Sequence, residues 1–382
     1  MTVGTVGTVG TMGTAGTVGT EVTPEPRTVV VKVGSSSVTP ATVDRLCSDL
    51  TRARAAGHTV VVVTSGAIAA GWALLGRGEK RPADPAVLQA VSAVGQHRLM
   101  RMWQDGLDPH GILAGQVLLA PLDFVHRTQY LHARGTLAHL IELGVVPVVN
   151  ENDAVADEEI RFGDNDRLAA LVAHLVRAHL LLLLTDAPGL LTADPRQYAE
   201  ASLVEEVLEI DHNLERMAGG AGSEVGSGGM SSKVAAAKIA TWSGVETIIA
   251  DAARPGVVSA AVAGEAGVGT VFRARPHRLS ARKLWIAFAL GATGRLVVDE
   301  GAHKALSVGG RSLLAAGVVG VEGDFGLDDA VEIVGPDGKV FAKGLVRLRA
   351  ARAAEWIGRR TDQLPEDMSH LVVHRDDLVL VR

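Results

Sequence analysis

The sequence predicts an α/β fold, a three-layer sandwich with a mainly parallel central sheet, followed by a small, mainly β module at the C-terminal end. Three observations carry that prediction. Residues 180–184 are five consecutive leucines, too few to span a membrane and too uniformly apolar for a strand with one wet face. They fit a central strand covered on both sides. Valine-rich runs at 29–33, 58–64 and 145–149 alternate with helical stretches that end in glycine, the order expected of βαβ units. Beyond Gly294 this alternation gives way to short strand-like runs separated by turns.

At 382 residues the chain is longer than one typical domain, so two domains are expected. It is 47% hydrophobic and 21% charged, which supplies large cores and excludes general disorder. The net charge of −6 argues against a surface coated in basic residues for nucleic acid. Cys47 is the single cysteine. That excludes an internal disulfide framework and a cysteine metal cluster, and points to a reducing, cytoplasmic setting. No apolar stretch reaches transmembrane length, so no membrane partner is expected. Residues 1–20 repeat Thr-Val-Gly without the charged start or continuous apolar core of a signal peptide. Residues 1–26 read as a flexible low-complexity leader closed by Pro24 and Pro26.

The first strand, 29–33, is interrupted by Lys32 and followed by Gly34 and three serines. A lysine in a buried strand is costly unless it is paired or faces a ligand. Glycine and serines after the strand let backbone N–H groups approach an anion; the plainer alternative is an edge strand with Lys32 in water. Residues 40–57 form a helix, and 58–64 a second strand leading to Ser65-Gly66. Ser65 stands where a helix N-terminus offers free N–H donors to a carboxylate or phosphate, or else is an ordinary N-cap. Residues 85–106 are helical, with Val87, Leu88, Val91 and Val94 on one side. A strand at 111–119 and a helix at 127–143 follow.

The strand 145–149 delivers Asn150-Glu151-Asn152-Asp153, and Arg161-Phe-Gly-Asp-Asn-Asp-Arg167 then runs into an apolar helix over 168–178. Two acidic and amide clusters beside strand ends favour a site over a solvated loop. The leucine run stops at Thr185-Asp186 before Pro188-Gly189. Ligands in open α/β sheets bind beyond the carboxyl ends of strands, so this pair is either a ligand contact or a turn cap. Residues 200–217 read as helical. The stretch 219–233, with eleven glycine, serine or methionine positions running into Lys233, opens an alanine-rich helix. Such a loop can wrap phosphates with main-chain donors, or be a linker. It lacks the P-loop spacing. Strands at 246–250 and 270–272 complete the first domain.

The C-terminal runs are 295–298, 318–321, 330–334, 340–346 and 371–373, with a turn at Gly335-Pro-Asp-Gly338. Residues 281–382 contain 14 Lys+Arg and 14 Asp+Glu, so the module is neutral. A basic cluster at Lys343, Arg347, Arg349, Arg352, Arg359 and Arg360 reads as a phosphate contact or a solvated face.

The motifs Val-Val-Lys-Val-Gly-Ser-Ser (30–36), Val-Thr-Ser-Gly-Ala-Ile-Ala-Ala-Gly (63–71), Val-Asn-Glu-Asn-Asp-Ala-Val (149–155), Phe-Gly-Asp-Asn-Asp (162–166), Leu-Leu-Thr-Asp (183–186) and Gly-Gly-Met-Ser-Ser-Lys (228–233), in this order, resemble the amino acid kinase family. They match best the branch that phosphorylates the γ-carboxylate of L-glutamate. The resemblance covers residues 27–275, and the C-terminal module resembles a PUA domain. It implies a leader at 1–26, a catalytic domain at 27–280, a linker at 281–294 and a PUA-like domain at 295–376. Ser227 and Ser232 stand where threonines are usual; both keep a hydroxyl.

The resemblance further implies that Lys32, Lys233 and Asp166 carry the chemistry, with Asp166 orienting both lysines. Ser65, Asp153 and Asn165 would bind glutamate. Lys32, Thr185, Asp186, Ser227, Gly228, Gly229, Met230, Ser231, Ser232 and Lys233 would bind ATP, with Mg²⁺ riding on its phosphates rather than on protein ligands. It implies feedback inhibition by proline and a homodimer or homotetramer. Two alternatives remain at this stage. One is another kinase of the same family, acting on aspartate, acetylglutamate, carbamate or UMP. The other is an RNA-binding protein acting through the C-terminal module, against which its neutral charge and scarce aromatics weigh.

Overall fold

The computed structural model describes residues 25–381 apart from 77, 79–82, 121, 156–164, 196–197, 199, 220–228, 289, 360–362 and 365–369. Residues 1–24, which include the Thr-Val-Gly repeats at 1–20 and most of the stretch read as a leader, lie outside the described residues. The first domain runs β1 (Thr28–Val33), α1 (Pro40–Ala55), β2 (Thr59–Thr64), α2 (Ala67–Leu75), α3 (Pro85–Leu107), β3 (Ala114–Leu119), α4 (Leu122–Val125), α5 (Arg127–Glu142) and β4 (Val146–Glu151). It continues with α6 (Asn165–Leu175), β5 (Leu180–Thr185), β6 (Glu206–Val207), α7 (His212–Gly219), α8 (Met230–Trp242), β7 (Glu246–Asp251), α9 (Val257–Ala263) and β8 (Gly269–Phe272).

Its eight strands are ordered β3-β4-β2-β1-β5-β7-β8-β6. All neighbours are parallel except β7 and β8. The leucine run is β5, between β1 and β7, and residues 180–184 are fully buried. Side-chain alternation divides the core into two layers. Val30, Leu181 and Leu183 face the layer of α5, α6 and α8, whereas Val29, Val31, Leu182 and Leu184 face that of α1, α3 and α9.

Helix ends follow the sequence closely. Thr39 and Asp84 cap α1 and α3, each ahead of a proline suited to the first turn. Asp49 of α1 accepts from the backbone N–H groups of Val258 and Ser259 at 2.7 and 3.3 Å, tying α9 to a helix some two hundred residues earlier. The crossing of α2 and α3 requires glycine. A Cβ at Gly71 would lie 2.0 Å from the Val91 carbonyl oxygen, and one at Gly95 1.8 Å from that of Ala67.

Three sequence readings change. Val87 and Val94 are exposed; the buried face of α3 is Val91, Leu99, Trp103 and Leu107, together with the polar Ser92 and Gln96. Residues 200–217 are not one helix, since β6 pairs with β8 before α7 begins. Residues 281–288, within the stretch read as a linker, form helix α10 (Ala281–Phe288). Its Leu284 and Ile286 are buried against Trp242 of α8 and Ala330, Leu345 and Val379 of the second domain. The amphipathic pattern of this helix is short and hidden between two better defined modules.

The second domain comprises β9 (Gly294–Val298), α11 (Glu300–Ser307), β10 (Leu313–Leu314), β11 (Val318–Gly323), β12 (Ala330–Val334), β13 (Val340–Val346), α12 (Ala350–Glu355) and β14 (Leu371–Leu380). Its sheet is ordered β10-β14-β13-β12-β9-β11, with β9 and β12 its parallel pair. Here the basic cluster separates. Arg347 pairs with Asp328 and Asp377, Arg352 pairs with Glu355, and Lys343 donates to the Leu290 carbonyl.

Candidate active site

Lys32 lies on β1, two residues after Val30, so strand alternation turns it toward α6 and α8 rather than into water. It is 3% exposed, which rules out the edge-strand alternative. A Cβ on Gly34 would come within 3.9 Å of its Nζ and 3.7 Å of the Leu184 carbonyl oxygen. The ammonium therefore lies at the carboxyl end of β1 and β5. Waiting there is Asp166, in the first turn of α6 and fully buried. Lys32 Nζ is ion-paired with Asp166 Oδ1.

Lys233 reaches the same carboxylate from α8, with Nζ 3.1 Å from Asp166 Oδ2. It is 6% exposed. Ser232 Oγ also donates to Asp166 Oδ2, at 2.9 Å. Gly229 precedes α8 with φ of 105°, a conformation glycine adopts readily, and no side chain caps the helix. Among the described residues the first N–H groups of α8 have no capping side chain. Two lysines 201 positions apart in sequence, 32 and 233, meet on one acid. Burial pushes the Asp166 carboxyl up, but the two ammonium groups prevail and hold it below the ordinary carboxylate range.

The parallel topology brings the other candidates to this same sheet edge. Ser65 follows β2 and is half-buried; the N-cap of α2 is Gly66, with φ of 107°, so Ser65 is not the cap. Thr185 ends β5, is buried, and donates through Oγ1 to Asp186 Oδ1 at 3.1 Å, with Asp186 itself exposed. Asn165 Oδ1 accepts from the Glu151 backbone N–H at 3.3 Å, joining the start of α6 to the end of β4. Asp153 sits half-buried in the turn just beyond. Met230 and Ser231 occupy the first turn of α8. Ser227 and Gly228, with residues 161–164, lie outside the described residues.

One pair escaped the sequence reading. Asn150 belongs to β4, not to the loop after it, and its Nδ2 donates to Gln96 Oε1 of α3 at 2.8 Å. Among the described residues the Asn150 Oδ1 and Gln96 Nε2 atoms are buried without a hydrogen-bond partner. Leaving such a group unsatisfied costs about 1–3 kcal/mol, which is tolerable where a polar ligand completes the pairing. The available signal was a glutamine on the buried side of α3, obscured because the valines at 87 and 94 suggested another face.

What this arrangement offers is a pair of cations fixed by one carboxylate, at the carboxyl ends of central strands where two helix N-termini converge. It suits a substrate bearing several negative charges and a group transferred between oxygens.

Comparison with known proteins agrees with the geometry. Residues 27–251 match the amino acid kinase family and residues 294–366 match the PUA domain. The glutamate 5-kinase of Moorella thermoacetica is 44% identical over 366 residues, spanning 93% of this chain and 96% of its own. That of Pelobacter propionicus is 43% identical over 366 residues, spanning 93% and 98%. A solved carbamate kinase from Giardia lamblia bound to AMP-PNP is 19% identical, with a TM-score of 0.47 over 66% of this chain and 99% of its own. At that distance it carries no weight.

Proposed function

The chain belongs to the amino acid kinase family, and from that premise we propose that it is a glutamate 5-kinase, transferring the γ-phosphoryl group of ATP to the γ-carboxylate of L-glutamate. The product, L-glutamyl 5-phosphate, opens proline biosynthesis. The observation that supports this most directly is the meeting of Lys32 and Lys233 on Asp166, in a chain 44% identical to a glutamate 5-kinase over nearly its whole length.

A carboxylate is already nucleophilic at neutral pH, so the transfer needs no general base. The difficulty is to hold two anions together and to stabilise charge on the moving phosphoryl group. Lys32 and Lys233 would supply that stabilisation from opposite sides, with Asp166 fixing both ammonium groups in place before substrate arrives. The first turn of α8, with Gly229, Met230, Ser231 and Ser232, would cradle phosphates, while Thr185 and Asp186 would contact the nucleotide. Ser65 and Asn165 would hold a glutamate carboxylate, and Asp153 the ammonium. Mg²⁺ would arrive with ATP as part of that substrate: both Asp166 oxygens face lysines, which makes this carboxylate a poor metal ligand.

Proline as a feedback inhibitor, a homodimeric or homotetrameric assembly and a cytoplasmic location belong to the same reading. Among the described residues no helix is long and apolar enough to cross a membrane. The test is hydroxylamine-trapped acyl phosphate that requires both ATP and glutamate, run with and without proline. Aspartate, acetylglutamate, carbamate and UMP serve as alternative acceptors, compared by ADP release because UDP is not trapped by hydroxylamine. Product with glutamate alone supports the reading, and preference for another acceptor overturns it.

A further inference from the structure

The contact between the two domains borders a half-open cavity of about 660 Å³. Its walls come from the end of α8, the 275–283 segment, α11 with the turn after it, and β14. Lys233 and Trp242 stand nine positions apart on α8, so the cavity lies roughly 13 Å along that helix from the lysine. None of the proposed catalytic residues lines it.

The cavity is unevenly charged. Arg275, His277, Lys283, Arg311 and Arg375 line it, against one acid, Asp376. The carboxylates nearby are already engaged. Glu209 pairs with Arg275 at 3.4 Å, and Asp377 is held by Arg282 and Arg347. Asp376 is shared between His374 and Arg375 at 3.5 and 3.8 Å. Among the described residues the side chains of Lys283 and Arg311 form no ion pair. Cations gathered in a concave, partly apolar space raise the local concentration of anions.

The floor supplies the second half of the argument. Val308 is 82% exposed and Leu380 37% exposed although both line the cavity, so apolar surface there is left uncovered. The Trp242 ring also lines the cavity, with the Arg275 guanidinium 4.1 Å from its centroid and Phe288 edge-on at 5.4 Å. A small inorganic anion would use only the rim. A phosphate ester with a flat or apolar body would use both rim and floor, and a nucleoside monophosphate has the matching size for a pocket of this volume.

We propose that this interdomain cavity is a binding site for a small phosphorylated ligand of nucleotide size, separate from the active site. Arg311 and Arg375 hold the phosphate, and Val308 and Leu380 cover the ring. The site does not depend on which amino acid the kinase domain phosphorylates.

The test is isothermal titration of the full-length protein with guanosine 5′-monophosphate and, separately, inorganic pyrophosphate. The expected result is saturable binding that is unchanged in Lys233→Ala and weakened about tenfold or more in Arg311→Ala/Arg375→Ala, as for loss of charge-assisted phosphate contacts. Tighter binding of the nucleotide than of pyrophosphate supports the role given to the apolar floor; equal or weaker binding of the nucleotide would overturn the proposal. Arg311→Glu, at an exposed position, reverses one charge without disturbing an ion pair, and thermal melting verifies that each variant folds. Absence of saturable binding to the wild-type protein, loss of binding in Lys233→Ala, or unchanged affinity in both arginine variants would each overturn the proposal.

Discussion

Each domain buries one carboxylate between two cations, and the two arrangements differ in what surrounds the cations. Asp166 is flanked by Lys32 and Lys233, whose side chains are 4% and 7% exposed. Asp377 is flanked by Arg282 and Arg347, whose side chains are 54% and 40% exposed. The first trio holds three ionised groups out of water at the carboxyl ends of the central strands β1 and β5. In the second, half-wet guanidinium groups fasten α10 and β13 to β14. A fully buried trio is unfavourable ground for stability, because desolvation opposes the Coulomb attraction. Its persistence in the first domain makes sense if the lysines await an anion, whereas the arginine trio needs no ligand to account for it.

The contrast is tested most severely by Asp166→Ala. Removing the carboxylate leaves two ammonium groups buried without their counter-ion, so unfolding stability should fall by about 3–5 kcal/mol. Urea unfolding of the variant measures this, and glutamate-dependent turnover should vanish with it. A loss below 1 kcal/mol, or about what a surface pair is worth, would mean that water reaches the lysines and that the two trios are alike.

Next in size are the lysines themselves. Lys32→Ala or Lys233→Ala should lower turnover about a hundredfold or more, the usual consequence of deleting a preorganised charge stabiliser. That corresponds to roughly 2.7 kcal/mol in the barrier. Initial rates at saturating ATP and glutamate give the comparison. Wild-type turnover in either variant would remove the lysine pair from the mechanism.

Asp377→Ala is expected to be milder. Arg282 and Arg347 can turn into water, so the cost should be about 1–2 kcal/mol, the range for hydrogen bonds to charged groups. Thermal unfolding of the second domain would register it while turnover stays at the wild-type level. A variant that loses activity together with stability would show that α10 transmits strain to α8 and that the second trio is not merely a fastening.

The same contrast explains what could be read in the sequence. Five leucines in a row admit only a strand buried on both faces, and residues 180–184 lie at the centre of the sheet. Lys32 stood out because a lone cation among valines demands a partner, and the order of motifs indicated Asp166 and Lys233 as candidates. Gln96 and Asn150 were not legible as a pair, since nothing local to α3 announces contact with a strand some fifty residues later. The helix α10 was missed for a related reason. Its Leu284 and Ile286 are buried by both domains at once, so the segment has no burial pattern belonging to either. Arg347 read as part of a basic cluster, because its buried acid, Asp377, is supplied by a different strand.

The smallest effect separates the trios by their response to acid. Both carboxyls lie below their ordinary range. Burial opposes this in each case, and Lys32 with Lys233, or Arg282 with Arg347, overcomes it. A carboxyl lowered on folding adds stability that is fully present above its unfolded value, about 3.9, and is lost as pH falls through the folded value. His174 acts higher on the scale. Burial foremost, then Arg278, Arg134 and Arg177, lower its value from 6.5 to about 4. It therefore favours the fold above pH 6.5 and ceases to do so as pH falls toward 4. Urea midpoints measured from pH 7 to pH 3 should accordingly decline in two stages. His174→Gln should flatten the upper stage and leave the lower one in place. Asp166→Asn should flatten the lower stage more than Asp377→Asn, because protonating Asp166 strands two dry ammonium groups while protonating Asp377 releases arginines already half in water. Equal flattening by the two asparagine variants would show that burial of the cations does not govern the energetics of the two trios.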